Sequence, residues 1–360
     1  MRRGFAMRPM MFFLCLCLLF AGSAATGEPA RYEYLQEKMA VPVRLVFYAE
    51  TPEEADAAQE AVYLRFDELN RMMSDYDPES EIVRACRESG ETGGQVEIGA
   101  PLYEVLYRAR EMNRLTDGAF DISVSPIVKL WRRSRVYGQR PPADYLDRAK
   151  SLVGNGNWEL SRDDGSNPSR FFLRVLQKNV RLDLGGIAKG YAIDEGIRIL
   201  KERGIRSALI DAGGDIRVTS PPPGKEGWTI GGVSLDEGAQ AAYYLTLSDA
   251  AIATSGDMFQ YFEIDRIRYS HIIDPRSGEP LTASSVVSVI ASDAASADAL
   301  ASGISVLGSE RGIALAESLP GVEALVITAP SDGTGTEMTV TASGRFVPIR
   351  SEILKEREAQ

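Results

Sequence analysis

The stretch Leu182-Asp183-Leu184-Gly185-Gly186-Ile187-Ala188-Lys189-Gly190-Tyr191-Ala192 is where the fold of this chain is decided. It reads as a short strand, a glycine pair and the start of a helix. The helix carries Ile187, Tyr191, Ile197 and Leu200 at helical spacing and stops at Gly204. The glycines have neither P-loop nor dinucleotide-fingerprint spacing. Working outward, Val41–Tyr48 reads as a strand, and Thr51-Pro52-Glu53-Glu54 as a capping box that opens a helix over 52–73. A second helix starts at Pro101 and ends before Thr116-Asp117-Gly118. Segments 171–176 and 180–184, separated by Gln177-Lys178-Asn179, read as a hairpin. Further strands are expected near 208–211, 228–233, 241–247, 285–291 and 323–328, and an alanine-rich helix near 296–307. Exposed loops are expected at 163–169 and 331–336. Helices and strands mix without regular alternation, which is the pattern of an α+β fold with mixed helices and antiparallel-rich sheets.

The ends of the chain bound its class. Arg2, Arg3 and Arg8 precede the apolar run Met10–Phe20 and the small residues Ala21-Gly22-Ser23-Ala24-Ala25, the pattern of a signal peptide over 1–25. Export is the expectation, to the periplasm or cell envelope. Leucine precedes both Cys15 and Cys17 where a lipidation site wants a small residue, so a lipid anchor is the weaker alternative. Without the leader only Cys86 remains, and no intramolecular disulfide can form. Residues 26–350 are taken as one domain. The net charge of −11 comes without a basic stripe, which argues against a nucleic-acid partner.

Three features carry chemistry. Gly185-Gly186 at a helix start, with Lys189 in the first turn, suits an anion, although a glycine pair there is often only a tight turn. Asp298 and Ser302 are four apart on a helix, so their oxygens share a face suited to a hard cation; the plain alternative is a solvated or capping Asp. His271 is the sole histidine, which excludes multi-histidine zinc sites and leaves either a structural imidazole or a general base. No Gly-x-Ser-x-Gly motif supports a serine nucleophile.

The order of seven blocks is more specific than any of these features. They are Met73–Glu81, Thr116–Ser123, Leu182–Ala192, Asp211–Asp215, Ala253–Asp257, Ser270–Pro275 and Ala297–Ser302. In them the chain resembles the ApbE family of FAD:protein FMN transferases over roughly residues 35–330. The resemblance implies a single, T-fold-like catalytic unit with FAD as substrate and Mg²⁺ as metal. It implies an FAD site at Met39, Tyr76, Ala119, Phe120, Asp121, Asp183, Lys189 and Ile272. The metal would be held at the Gly186 carbonyl, Asp298, Ser302 and the region of Ala301. His271, oriented by Asp274, would be the base. FMN would pass to a Ser or Thr hydroxyl of a redox acceptor of the membrane electron-transport type, and AMP would leave. A Mg²⁺-dependent FAD pyrophosphatase and a flavin-binding protein without turnover are the alternatives. Met39-Ala40-Val41 stands where the family usually has Met-Gly-Thr, and Ser302 where Thr is common.

Overall fold

The computed structural model describes residues 28–232, 243–256, 261–329, 338–348 and 350–351. The leader, the whole 331–336 loop and Asp257 lie outside them, as do residues 233 and 241–242 of two expected strands. The chain opens with strands β1 (Ala30–Lys38) and β2 (Val41–Ala49), then helices α1 (Pro52–Met73) and α2 (Glu81–Thr92). Strand β3 (Val96–Ile98) leads to α3 (Ala100–Leu115), α4 (Ser125–Tyr137) and α5 (Ala143–Lys150), followed by β4 (Trp158–Asp163) and β5 (Arg170–Val175). Next come α6 (Ala188–Glu202), β6 (Ala208–Ala212), β7 (Asp215–Val218), β8 (Trp228–Gly231) and β9 (Tyr243–Leu247). Strands β10 (Ala250–Gly256), β11 (Tyr261–Ile264), β12 (Ile267–Ser270) and β13 (Ser285–Ala291) precede α7 (Ala294–Ser318), β14 (Glu323–Thr328) and β15 (Thr339–Ala342).

Eight strands form one sheet in the order β1-β2-β6-β7-β10-β13-β14-β15, and every adjacent pair is antiparallel. This is the expected α+β architecture. Helices α1, α6 and α7 cover one face, where Val62, Phe66, Ile193, Ile197, Leu300 and Ile304 meet Leu45, Ile210, Ala253 and Val289 in the main core. On the other face the β8–β9 hairpin buries Trp228, Ile230 and Tyr243 against Val46, Leu209 and Leu325. The central strands are thus covered on both faces, which is why β13 and β14 are buried at successive positions, Ser288 included, rather than at alternating ones. Helix α1 starts where the capping box places it: Glu54 N–H donates to Thr51 Oγ1 at 3.2 Å, and Glu50 N–H to Glu54 Oε2 at 3.1 Å.

The expected 171–184 hairpin is a correction. β5 pairs with β4 and β3, and its hairpin turn is the 163–169 loop. Residues 180–184 form no ladder. Val180, Leu182 and Leu184 are buried while Arg181 and Asp183 are only partly so, so the segment alternates as a strand would, yet it crosses the core edge as irregular chain. The strand expected at the start of the Leu182–Ala192 stretch is therefore absent. The alanine-rich helix is also longer than expected, running to Ser318 with non-helical Gly308 (φ 78°, ψ 177°) joining two helical runs.

Candidate active site

The first turns of α6 and α7 meet almost backbone to backbone. A Cβ built on Gly190 would stand 2.7 Å from Ala295 Cα, and closer still to the Ala294 carbonyl. Asp194 clamps this contact by accepting from Ala294 N–H (2.8 Å) and Ala295 N–H (3.0 Å). The approach brings Lys189 and Asp298 together. Lys189 Nζ pairs most closely with Asp215, the first residue of β7, and lies 3.5 Å from Asp298 Oδ2. Asp215 also accepts from Thr254 N–H at 3.4 Å, on the adjacent strand.

Burial opposes charge on the Lys189 ammonium, but the carboxylates of Asp298 and Asp215 outweigh it and raise its pKa. Asp298 is pulled the other way. Burial, with Asp215 nearby, raises its pKa despite Lys189 and the Gly190 N–H at 3.4 Å. The ammonium sits against Asp215 and stands off from Asp298 at 3.5 Å. Asp298 is left a buried carboxylate with too little positive charge around it.

Four residues along α7, Ser302 faces Gly186. A Cβ on Gly186 would meet Ser302 Oγ at 3.1 Å and the Phe120 ring at 3.2 Å, so the glycine keeps its backbone open to both. Ala301 is buried, and its carbonyl accepts from Ser305 Oγ at 2.9 Å. Among the described residues no three His, Cys, Asp or Glu side chains are grouped to hold a metal. A cation here would rest on one carboxylate, a hydroxyl, backbone oxygen and the oxygens of a bound phosphate. That donor set fits a hard ion such as Mg²⁺, and under-compensated Asp298 supplies the charge.

The turn carrying Ala119 and Phe120 is fixed from both sides. Thr116 Oγ1 accepts from Phe120 N–H (3.0 Å), and Asn113 Nδ2 donates to Phe120 O (2.8 Å). Asp121 caps the next turn by accepting from Ser123, and burial raises its pKa. Asp183 accepts from Gly185 N–H (2.9 Å), holding the glycine turn, and its own N–H donates to Ile122 O at 2.6 Å. Burial and the neighbouring Asp75 raise its pKa. Arg132 of α4 spans both acids, 3.4 Å from Asp75 and 3.9 Å from Asp183, and stacks 4.7 Å from the Tyr76 ring centroid. Tyr76 is 76% exposed, an aromatic face held out to solvent by a cation.

His271 follows β12 and is exposed. Its segment is tied down by Ser270 N–H to Leu281 O (2.7 Å) and Ile272 N–H to Ser270 Oγ (3.0 Å). Both Asp274 oxygens accept from Arg276 at 2.9 Å, which outweighs burial and lowers the Asp274 pKa. Asp274 thus anchors the turn after His271. Arg276 passes beside Gly118, so the histidine segment borders the Phe120 turn. Met39 and Ala40 form the β1–β2 turn with φ of 51° and 61°, a left-handed conformation usual for Gly or Asn. They lie beside the Gly213-Gly214 turn, where Gly213 N–H donates to Pro42 O at 3.1 Å. Asp215, Arg132 and Asp75 were given no role from sequence. Asp215 ends the Gly-Gly-Asp turn, a usable signal; nothing in the sequence marks Arg132.

The fold and site define an α+β protein with a buried lysine–carboxylate centre at one end of an antiparallel sheet, ringed by an exposed tyrosine and a histidine. The sequence profile of the ApbE family matches residues 39–326, and the chain belongs to that family. It is similar to an FAD:protein FMN transferase of Vibrio cholerae, 31% identical over 357 residues, which covers 96% of this chain and 100% of that protein. One from Treponema pallidum is 30% identical and covers 87% of this chain and 89% of its own length. Among solved structures, the Vibrio cholerae flavin transferase ApbE aligns with a TM-score of 0.73 at 27% identity, covering 88% of this chain and 98% of that one. The ApbE protein of Thermotoga maritima aligns at 0.74 and 30% identity with the same coverage.

Proposed function

We propose that this protein is an exported FAD:protein FMN transferase that uses Mg²⁺ to move FMN from FAD to a Ser or Thr hydroxyl of an acceptor protein, releasing AMP. The observation that carries this reading is the unequal sharing of Lys189, which leaves Asp298 short of positive charge beside Ser302 and the open Gly186 backbone. Asp298, Ser302 and the Gly186 carbonyl would hold the metal, whose contribution is charge neutralisation at the pyrophosphate. Tyr76 offers its face to the isoalloxazine, and Met39, Phe120, Asp121, Asp183 and Ile272 shape the rest of the FAD site. Lys189 sits at the phosphates. His271, exposed at a strand end, would meet a hydroxyl that arrives on another protein and take its proton. The acceptor oxygen bonds to the FMN-side phosphorus as the bond from that phosphorus to the bridging oxygen breaks. AMP leaves with that oxygen and its electron pair. Asp274 acts as a positioning residue through the turn it anchors with Arg276. The acceptor class we favour is a redox protein of the membrane electron-transport type.

The test combines the protein, FAD, Mg²⁺ and an acceptor domain, and reads flavin fluorescence on the denatured acceptor. His271→Ala should abolish the covalent signal while FAD binding stays within about twofold, because an exposed base contributes to rate more than to affinity. Normal labelling by that variant would remove His271 from the mechanism. Release of free FMN and AMP with no label on the acceptor would assign a pyrophosphatase instead.

A further inference from the structure

The Tyr76 ring stands on the loop that joins α1 to α2, and the loop's own bonds leave it unrestrained. The backbone there is tied by Asp77 N–H to Ser74 Oγ (3.4 Å), Glu79 N–H to Asp77 Oδ1 (2.9 Å) and Ser80 N–H to Asp77 O (3.1 Å). None of these bonds touches the ring, which is 76% exposed and joins no aromatic pair among the described residues. An exposed side chain left to itself changes rotamer within picoseconds to nanoseconds.

Arg132 supplies the restraint from a rigid base. Helix α4 buries Ile127, Trp131 and Ser134 on its inner face, and Trp131 Nε1 fastens it to Gly278 O at 2.9 Å. From the outer face the Arg132 guanidinium is held at both ends. Its Nη1 lies 3.4 Å from Asp75 Oδ2 and its Nη2 3.9 Å from Asp183 Oδ2, on carboxylates only 9% and 14% exposed. Burial and Asp75 push the Asp183 pKa up, and the Arg132 charge opposes both. Held in this way, the planar group has little freedom to turn, and its central carbon stands 4.7 Å from the Tyr76 ring centroid. A lysine could match the charge but not the flat, two-ended fork. Lys129, Arg133 and Arg135 share the helix and form no ion pair among the described residues, so the engagement belongs to Arg132 and not to α4 in general.

We infer that Arg132 is a positioning residue for FAD: clamped between Asp75 and Asp183, it sets the plane of the Tyr76 ring on which the isoalloxazine stacks. This rests on the reading of Tyr76 as the flavin-stacking face. A ring fixed before FAD arrives need not be ordered during binding, which is worth between about twofold and tenfold in affinity. Arg132→Gln, Tyr76→Leu and the double variant of the full chain form a cycle, read by isothermal titration with FAD and by steady-state flavinylation. Arg132→Gln should weaken the Kd of FAD and raise its KM by that factor, while kcat changes by less than about twofold. In the Tyr76→Leu background the same substitution should have no further effect, because the ring through which Arg132 acts is gone. Arg132→Lys keeps a cation between the two carboxylates and should keep the parent's urea denaturation midpoint, yet its FAD affinity should fall closer to that of Arg132→Gln than to the parent's. Equal losses with and without Tyr76, or full FAD affinity in Arg132→Lys, would overturn the positioning role and leave Tyr76 in the flavin site. A Tyr76→Leu variant that binds FAD as tightly as the parent would instead remove Tyr76 from that site, and the role of Arg132 with it.

Discussion

Gly190→Ala is the sharpest test of how the centre is built. The new Cβ would lie 2.7 Å from Ala295 Cα and nearer still to the Ala294 carbonyl, all backbone atoms that no rotamer change can move aside. Ordinary carbon contacts begin at about 3.5 Å, so the first turn of α7 must withdraw from α6 by roughly 1 Å. That withdrawal stretches the bonds from Asp194 to Ala294 N–H and Ala295 N–H, now 2.8 and 3.0 Å, beyond hydrogen-bonding range. Overpacking costs about 1–3 kcal/mol, and a hydrogen bond to a charged group is worth about 1.5–3 kcal/mol. With partial relaxation the expected loss is about 3–5 kcal/mol, at the severe end for a single substitution. Urea denaturation followed by circular dichroism measures it. Gly214→Ala is the control: its φ of 97° is strained but nothing lies within 4 Å, so about 1 kcal/mol is expected. A Gly190→Ala loss no larger than the control's would mean that the α6–α7 contact does not set the position of the site.

Lys189→Met leaves Asp215 and Asp298 buried without their ammonium, and breaking a buried pair from one side costs about 3–5 kcal/mol. A carboxyl whose pKa is raised by folding holds its proton more tightly folded than unfolded. The penalty is therefore full above the raised pKa and fades as pH falls toward the usual carboxylate range. Denaturation midpoints of the variant and the parent should converge from pH 8 to pH 5; a gap that widens on acidification would contradict the placement of Asp298. Gly186→Ala presses on Ser302 Oγ and Phe120 at 3.1 and 3.2 Å, tight but not prohibitive, so stability should fall by only about 1 kcal/mol. The Mg²⁺ concentration giving half-maximal flavinylation should rise about tenfold, as for other disturbances around a metal ligand, and an unchanged Mg²⁺ dependence would release Gly186 from that role.

The parts of the fold that were legible are those written locally. Thr51 and Glu54 announce α1 because both halves of the cap lie within four residues, and β13 and β14 announce themselves as apolar runs. The 180–184 segment misled because alternation reports burial on one side and not a hydrogen-bonded partner. β1 was not expected at all: it is an edge strand whose residues are mostly exposed, so no apolar periodicity marks it. In the site, Asp298 and Ser302 were visible as a helical pair, but the burial of Asp298 and its charged neighbours, Lys189 on α6 and Asp215 on β7, come from contacts no spacing encodes. The role of Gly190 was hidden for the same reason, since a close helix approach exists only once both helices are packed.

The trio Lys189, Asp215 and Asp298 has a consequence for the dynamics of the protein. Its members come from α6, β7 and α7, and Asp215 is tied on to β10 through Thr254. Such a centre cannot loosen by the fraying of one loop; it opens only when helices and sheet part together. The amides of Gly190 and Thr254 should therefore exchange with solvent at the rate set by global unfolding, while those around exposed Tyr76 exchange through small local openings. The buried lysine–carboxylate trio and the folding core are one cooperative unit, and adaptability is confined to the exposed rim around Tyr76.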